Sequence, residues 1–108
     1  MRSPNLTTRQ QIMALLREQL HSARDLAAVL GIPEREVENH LTHVMRSLGR
    51  NSQLRFMMEH AFCHRCGFLF RERSRLTRPS RCPRCRSEDI ASPRFGVEGR
   101  TPKGAKVS

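Results

Sequence analysis

The sequence predicts an α+β architecture: an N-terminal three-helix (winged) helix-turn-helix followed by a small antiparallel zinc ribbon. Three observations carry that expectation. Apolar residues recur at spacings of three and four between Thr8 and Leu48, the spacing changes to alternation from Leu54, and all four cysteines fall in two C-x2-C pairs. A 3.6-residue period buries one stripe of a helix, whereas a period of two buries one face of a strand.

The first helix is expected in TRQQIMALLREQL, where Ile12, Leu15, Leu16 and Leu20 share one side and Thr7 or Thr8 caps the start. The second is expected in SARDLAAVLG. Ser22 is its N-cap, Asp25 occupies the reciprocal capping position three residues later, Leu26, Val29 and Leu30 point inward, and Gly31 follows the end. Pro33 is suited to open the third helix, PEREVENHLTHVMRSL, because its missing N–H would have no partner in a first turn. Val37, Leu41, Val44, Met45 and Leu48 form the inward stripe of that helix; Arg35, Asn39, Thr42, His43 and Arg46 lie opposite.

Gly49 ends the helical region. Beyond it, Leu54, Phe56 and Met58 alternate with Arg55, Met57 and Glu59 as in a strand with one buried face. All five phenylalanines lie in this second half while the helical stripe is aliphatic, which predicts two cores divided near residues 51–62. The expected organisation is a disordered N-terminus at 1–6, a helix-turn-helix domain at 7–52, a wing strand and zinc ribbon at 53–97, and a disordered basic tail at 98–108.

Cys63 and Cys66 are separated by 15 residues from Cys82 and Cys85. This is the spacing of tetrahedral zinc sites, because two residues between ligands let the chain fold back with both sulfurs facing one ion. Gly67 suits the residue after the first pair, which needs a positive φ; Arg86 stands at the matching place after the second and departs from the pattern. CPRC alone would also suit thiol redox chemistry, but the pair is duplicated and lacks the strand-helix setting. Four thiolates leave a catalytic zinc no open position, so one structural Zn2+ is expected, and His60 and His64 are read as surface residues. A module this small has little core of its own; metal binding contributes on the order of 10 kcal/mol to the folding of zinc-finger peptides.

The formal charge is +10, from 20 basic residues against 10 acids. Residues 1–52 hold 7 arginines and 5 acids, and residues 53–108 hold 13 basic residues and 5 acids, so the basicity belongs to the cysteine half. Arginine outnumbers lysine 18 to 2, which favours a partner recognised by forked hydrogen bonding, such as phosphate or guanine edges. In the ribbon, Phe68 and Phe70 are expected to pack inward while Leu69, Arg71, Arg73 and Arg75 share the other face; with Arg78, Arg81, Arg84 and Arg86 the run from 71 to 86 carries seven arginines and one acid. The longest apolar stretch, LAAVLGI, is far below the ~20 residues of a membrane span. With no apolar leader at the start of the chain, the expected location is cytoplasmic, where paired cysteines bind metal rather than each other.

Helix, turn and helix across Ser22 to Leu48 is the arrangement that lays its last helix into a major groove. Arg35, Asn39, Thr42, His43 and Arg46 are then the candidate groove contacts, Arg50 and Arg55 the contacts near a wing, and Arg71, Arg73, Arg75 and Arg78 the contacts from the ribbon. Glu34, Glu36 and Glu38 oppose this reading, since they favour the helix dipole but repel phosphate. SARDLAAVLGIPEREVENHLTHV, followed by FCHRCGFLF and RPSRCPRCRSEDIASPRF, resembles the predicted transcriptional regulators in which a winged helix-turn-helix is fused to a rubredoxin-like zinc ribbon. The resemblance spans residues 8 to 97. It implies that the four cysteines are metal ligands and the third helix the recognition helix.

Two functions follow as expectations. One is a sequence-specific DNA-binding transcriptional regulator with duplex DNA as partner; the other is a zinc-ribbon adaptor that binds RNA or an acidic protein of the transcription machinery. A homodimer is compatible with either. No nucleophile and base can be named together, so an enzyme is not expected.

Overall fold

In the computed structural model, residues 6–71 and 75–99 are described. Three helices come first: α1 (Thr8–Glu18), α2 (Ala23–Leu30) and α3 (Glu34–Leu48). Four strands follow: β1 (Leu54–Glu59), β2 (Phe62–Cys63), β3 (Ile90–Ala91) and β4 (Arg94–Gly99).

Local chemistry sets the helix ends. Thr7 caps α1 in a reciprocal box with Gln10, and Ser22 caps α2 in the same way with Asp25. Gly31 closes α2 in the left-handed region at φ 68°, where a Cβ would be strained. Pro33 stands one place earlier than expected. It is the N-cap residue, extended at φ −65° and ψ 149°, and the helix begins at Glu34.

Ile12, Leu16, Ala23, Leu26, Val37, Leu41, Val44 and Leu48 fill the helical core. Two residues expected inside are not. Val29 is 54% exposed, because the two turns of α2 bury the stripe through Ala23 and Leu26 and Val29 lies one step round the helix. Met45 is also exposed, and with Met58, expected on the buried face of β1, it edges an open groove of about 420 Å³ between the end of α3 and β1.

The larger correction concerns the second half. β4 returns to the helical domain and pairs antiparallel with β1, from Leu54 opposite Gly99 to Glu59 opposite Arg94. Its Phe95 also exchanges two backbone hydrogen bonds with His21, at 2.9 and 2.8 Å, so β4 runs between β1 and the α1–α2 connection. Phe95 is fully buried among the aliphatic residues, 5.7 Å from the ring of Phe56. Gly96 permits this approach, since a Cβ there would lie 2.7 Å from Leu20 Cδ2. The helical core is therefore not purely aliphatic, and Glu98 and Gly99, expected in a disordered tail, belong to β4. The remainder of that tail, and residues 1–5 of the expected N-terminal segment, lie outside the described residues.

The ribbon is thus inserted between two strands of one hairpin. A second, smaller cluster of Ala61, Cys63, Cys82 and Ile90, with Cys66, Phe68 and Phe70 packed against it, forms its interior. Two cores exist as the phenylalanines suggested, but the partition follows the cysteines rather than chain order.

Candidate metal centre and helix face

Each cysteine pair sits in a turn of the same build. In the first, the Gly67 N–H donates to the Cys63 carbonyl at 2.9 Å and the Cys63 N–H to the Phe68 carbonyl at 2.9 Å. In the second, the Arg86 N–H donates to the Cys82 carbonyl and the Cys82 N–H to the Ser87 carbonyl, both at 2.8 Å. The geometry requires a positive φ at the residue after each pair: Gly67 has 79° and Arg86 has 66°. Arg86, which departs from the expected residue type, nevertheless adopts the conformation that the knuckle demands.

These turns bring the sulfurs together. All four lie within 4.8 Å of one another, with Cys63 and Cys85 3.5 Å apart and Cys66 and Cys82 3.6 Å apart. A zinc–sulfur bond of about 2.3 Å places thiolates of a tetrahedron about 3.8 Å apart, so the donor set fits one zinc ion with no further ligand. Among the described residues, no other group of three or more His, Cys, Asp or Glu side chains is placed to hold a metal.

Backbone dipoles favour the thiolate form. At Cys82, burial pushes the thiol up, but the Cys85 and Arg84 N–H groups outweigh it and lower the pKa to about 6; the Arg84 N–H reaches the sulfur at 3.3 Å. Cys63 is lowered by the Cys66 N–H against the opposing effect of burial. Cys85 moves the other way: the Ser87 N–H lowers it, yet burial and the three neighbouring sulfurs raise it to about 11.

The candidate nucleic-acid contacts divide into three groups. Arg35, Asn39, His43 and Arg46 are exposed along one stripe of α3; Thr42 is half-buried beside them and donates its hydroxyl to the Glu38 carbonyl at 3.0 Å. Arg50 and Arg71 are exposed as well. Arg55 on β1 pairs with Glu98 on β4 at 2.6 Å, and Arg78 donates to the Glu88 carbonyl at 3.1 Å, bracing the second knuckle. Arg73 lies outside the described residues.

Arg75 faces solvent as the stripe predicts, but its guanidinium is also engaged within the chain. Its Nε and Nη2 donate to the two carboxylate oxygens of Glu38 at 3.0 and 3.3 Å. The hydrogen bond and the charge of Glu38 raise the Arg75 pKa further above its ordinary value. The Leu76 N–H donates to the same carboxylate at 2.9 Å, and the Leu76 side chain, 4% exposed, joins the helical core. Sequence reading missed Glu38 and Leu76 as partners because they are 38 positions apart; the only local signal was an apolar residue amid arginines.

Residues 7–57 match the family model described as PF0610-like, N-terminal, and residues 60–100 match the PF0610 rubredoxin-like zinc beta-ribbon domain. No curated protein matches. Among solved structures, the solution structure of protein PF0610 from Pyrococcus furiosus is similar at 31% identity and a TM-score of 0.70, over 91% of this chain and 94% of that one. With a four-thiolate knuckle pair inserted in a hairpin that closes a three-helix core, and likeness along nearly its whole length, the chain belongs to the PF0610-like family and carries its zinc ribbon.

Proposed function

We propose that the protein is a DNA-binding transcriptional regulator in which α3 enters the major groove and the β1–β4 hairpin acts as the wing. The carrying observation is the exposed stripe of Arg35, Asn39, His43 and Arg46 on the last helix of the three, with Glu38 turned to Arg75 rather than outward. Arg and Asn are the side chains that pair bidentately with guanine and adenine edges. Glu34 and Glu36 remain at the start of α3, where they favour its dipole. The ion, when bound, supplies structure: it fixes the ribbon, whose exposed Arg65, Arg71, Arg84 and Arg86 extend the positive surface.

Titration with duplex DNA at several salt concentrations tests this. Affinity should fall steeply as salt rises, because each neutralised phosphate releases condensed counterions. Binding that is absent, or flat across salt, rejects it. The ribbon arginines also favour a second reading, an adaptor for RNA or an acidic protein. In that case exchanging Arg71 and Arg84 for Glu abolishes binding while Asn39→Ala and Arg46→Ala leave it intact.

A further inference from the structure

We propose that Glu38 is a positioning residue through which the zinc ribbon fixes α3, so that metal occupancy sets how firmly the outward stripe of that helix is held. Leu76 belongs by chain order to the ribbon, between Cys66 and Cys82, yet its side chain is buried in the helical cluster. One carboxylate on α3 gathers the segment. Glu38 Oε2 accepts from Arg75 Nε at 3.0 Å and from the Leu76 N–H at 2.9 Å, while Oε1 accepts from Arg75 Nη2. The Glu38 side chain is 16% exposed and that of Arg75 63%, so the carboxylate is the sheltered member. Its own carbonyl holds Thr42, a stripe residue one turn on.

The other end of this segment is anchored to the metal site. Pro79 is buried, Arg78 bonds the Glu88 carbonyl beside the second knuckle, and Cys82 is a ligand. Two of the four buried residues in the ribbon cluster are themselves ligands, Cys63 and Cys82. Little hydrocarbon remains to hold the ribbon when four thiols face one another without a cation. Removing zinc frees the segment, withdraws Leu76 from the helical core, and strips Arg75 from Glu38. α3 then loses a packing partner and regains an acid beside the stripe that meets phosphate. The effect on DNA rests on the function proposed above; the coupling between metal and helix does not.

Amide hydrogen exchange on the full chain tests the coupling, with zinc content measured in parallel. In the wild type, chelation should speed exchange in α3 about tenfold relative to α1. Zinc-loaded Glu38→Gln and Arg75→Ala variants should reproduce that loosening of α3 while keeping one metal per chain. Arg75 is exposed, so its variant folds even where Glu38→Gln does not. Wild-type protection of α3 in a zinc-replete Arg75→Ala variant, or equal opening of α1 and α3 on chelation, overturns the proposal. Duplex titration of the same samples separates the two readings: exchange that follows zinc with no DNA binding in any form supports the coupling and rejects the DNA function.

Discussion

The carboxylate of Glu38 joins α3 to Arg75 of the ribbon at 3.0 Å, and the adjacent Leu76 is buried against the helices. A ribbon side chain thereby completes the helical core.

Leu76→Ala should destabilise the helical domain by roughly 2 to 4 kcal/mol, the range for truncating a buried leucine. Urea unfolding followed by circular dichroism measures it. A loss under about 0.5 kcal/mol would mean that the segment does not dock. Arg75→Ala should cost less than Leu76→Ala on the same assay, because it removes no buried side chain and its loosening is confined to α3 around Glu38.

Arg86→Gly should stabilise the ribbon. Arginine at φ 66° bears a left-handed conformation that costs a side-chain-bearing residue roughly 1 kcal/mol, and glycine does not. Retention of zinc against a competing chelator should improve, and a lower retention would show that the Arg86 charge outweighs its backbone strain. Gly67→Ala should act in the opposite direction, with φ 79° and nothing within 4 Å of the added carbon, so that strain alone is tested.

Zinc affinity should rise with pH. Cys82, lowered to about 6, is already a thiolate at neutrality, whereas Cys85, raised to about 11, must release its proton to bind. Each proton displaced makes apparent affinity change about tenfold per pH unit. The sign for Cys82 follows from its depressed value: its contribution is present above the ordinary thiol range and is lost as pH falls through about 6. Competition titrations between pH 6 and 8 check this; an affinity independent of pH would exclude proton release from the ligands.

On duplex DNA, Arg46→Ala and Arg35→Ala should each weaken binding, by about 1 to 3 kcal/mol where the side chain reads a base edge. A phosphate contact would instead reduce the salt slope by about one. Arg55→Ala should change little, since Glu98 already neutralises it.

Local signals made most of the helices and the whole ligand set legible. Thr7 with Gln10 and Ser22 with Asp25 announce helix starts through contacts three residues apart, and the duplicated C-x2-C announces the metal by spacing alone. The return of β4 was not legible: RFGVEG is short and carries two glycines, so its alternation is too weak to distinguish from a tail. Its partner lies some forty residues upstream, as does that of Arg75. Pairings of that range are decided by shape and by what remains to be buried, which no window of neighbouring residues contains.

The insertion of the ribbon within a hairpin has a kinetic consequence. β1 and β4 cannot zip until the intervening stretch has been drawn in, and the entropy lost in bringing its ends together grows with its contour length. An ion gripping both knuckles early shortens that contour, so refolding begun from zinc-charged chains should outpace refolding to which the ion is added late. The two outer strands, though neither carries a cysteine, would thus await it.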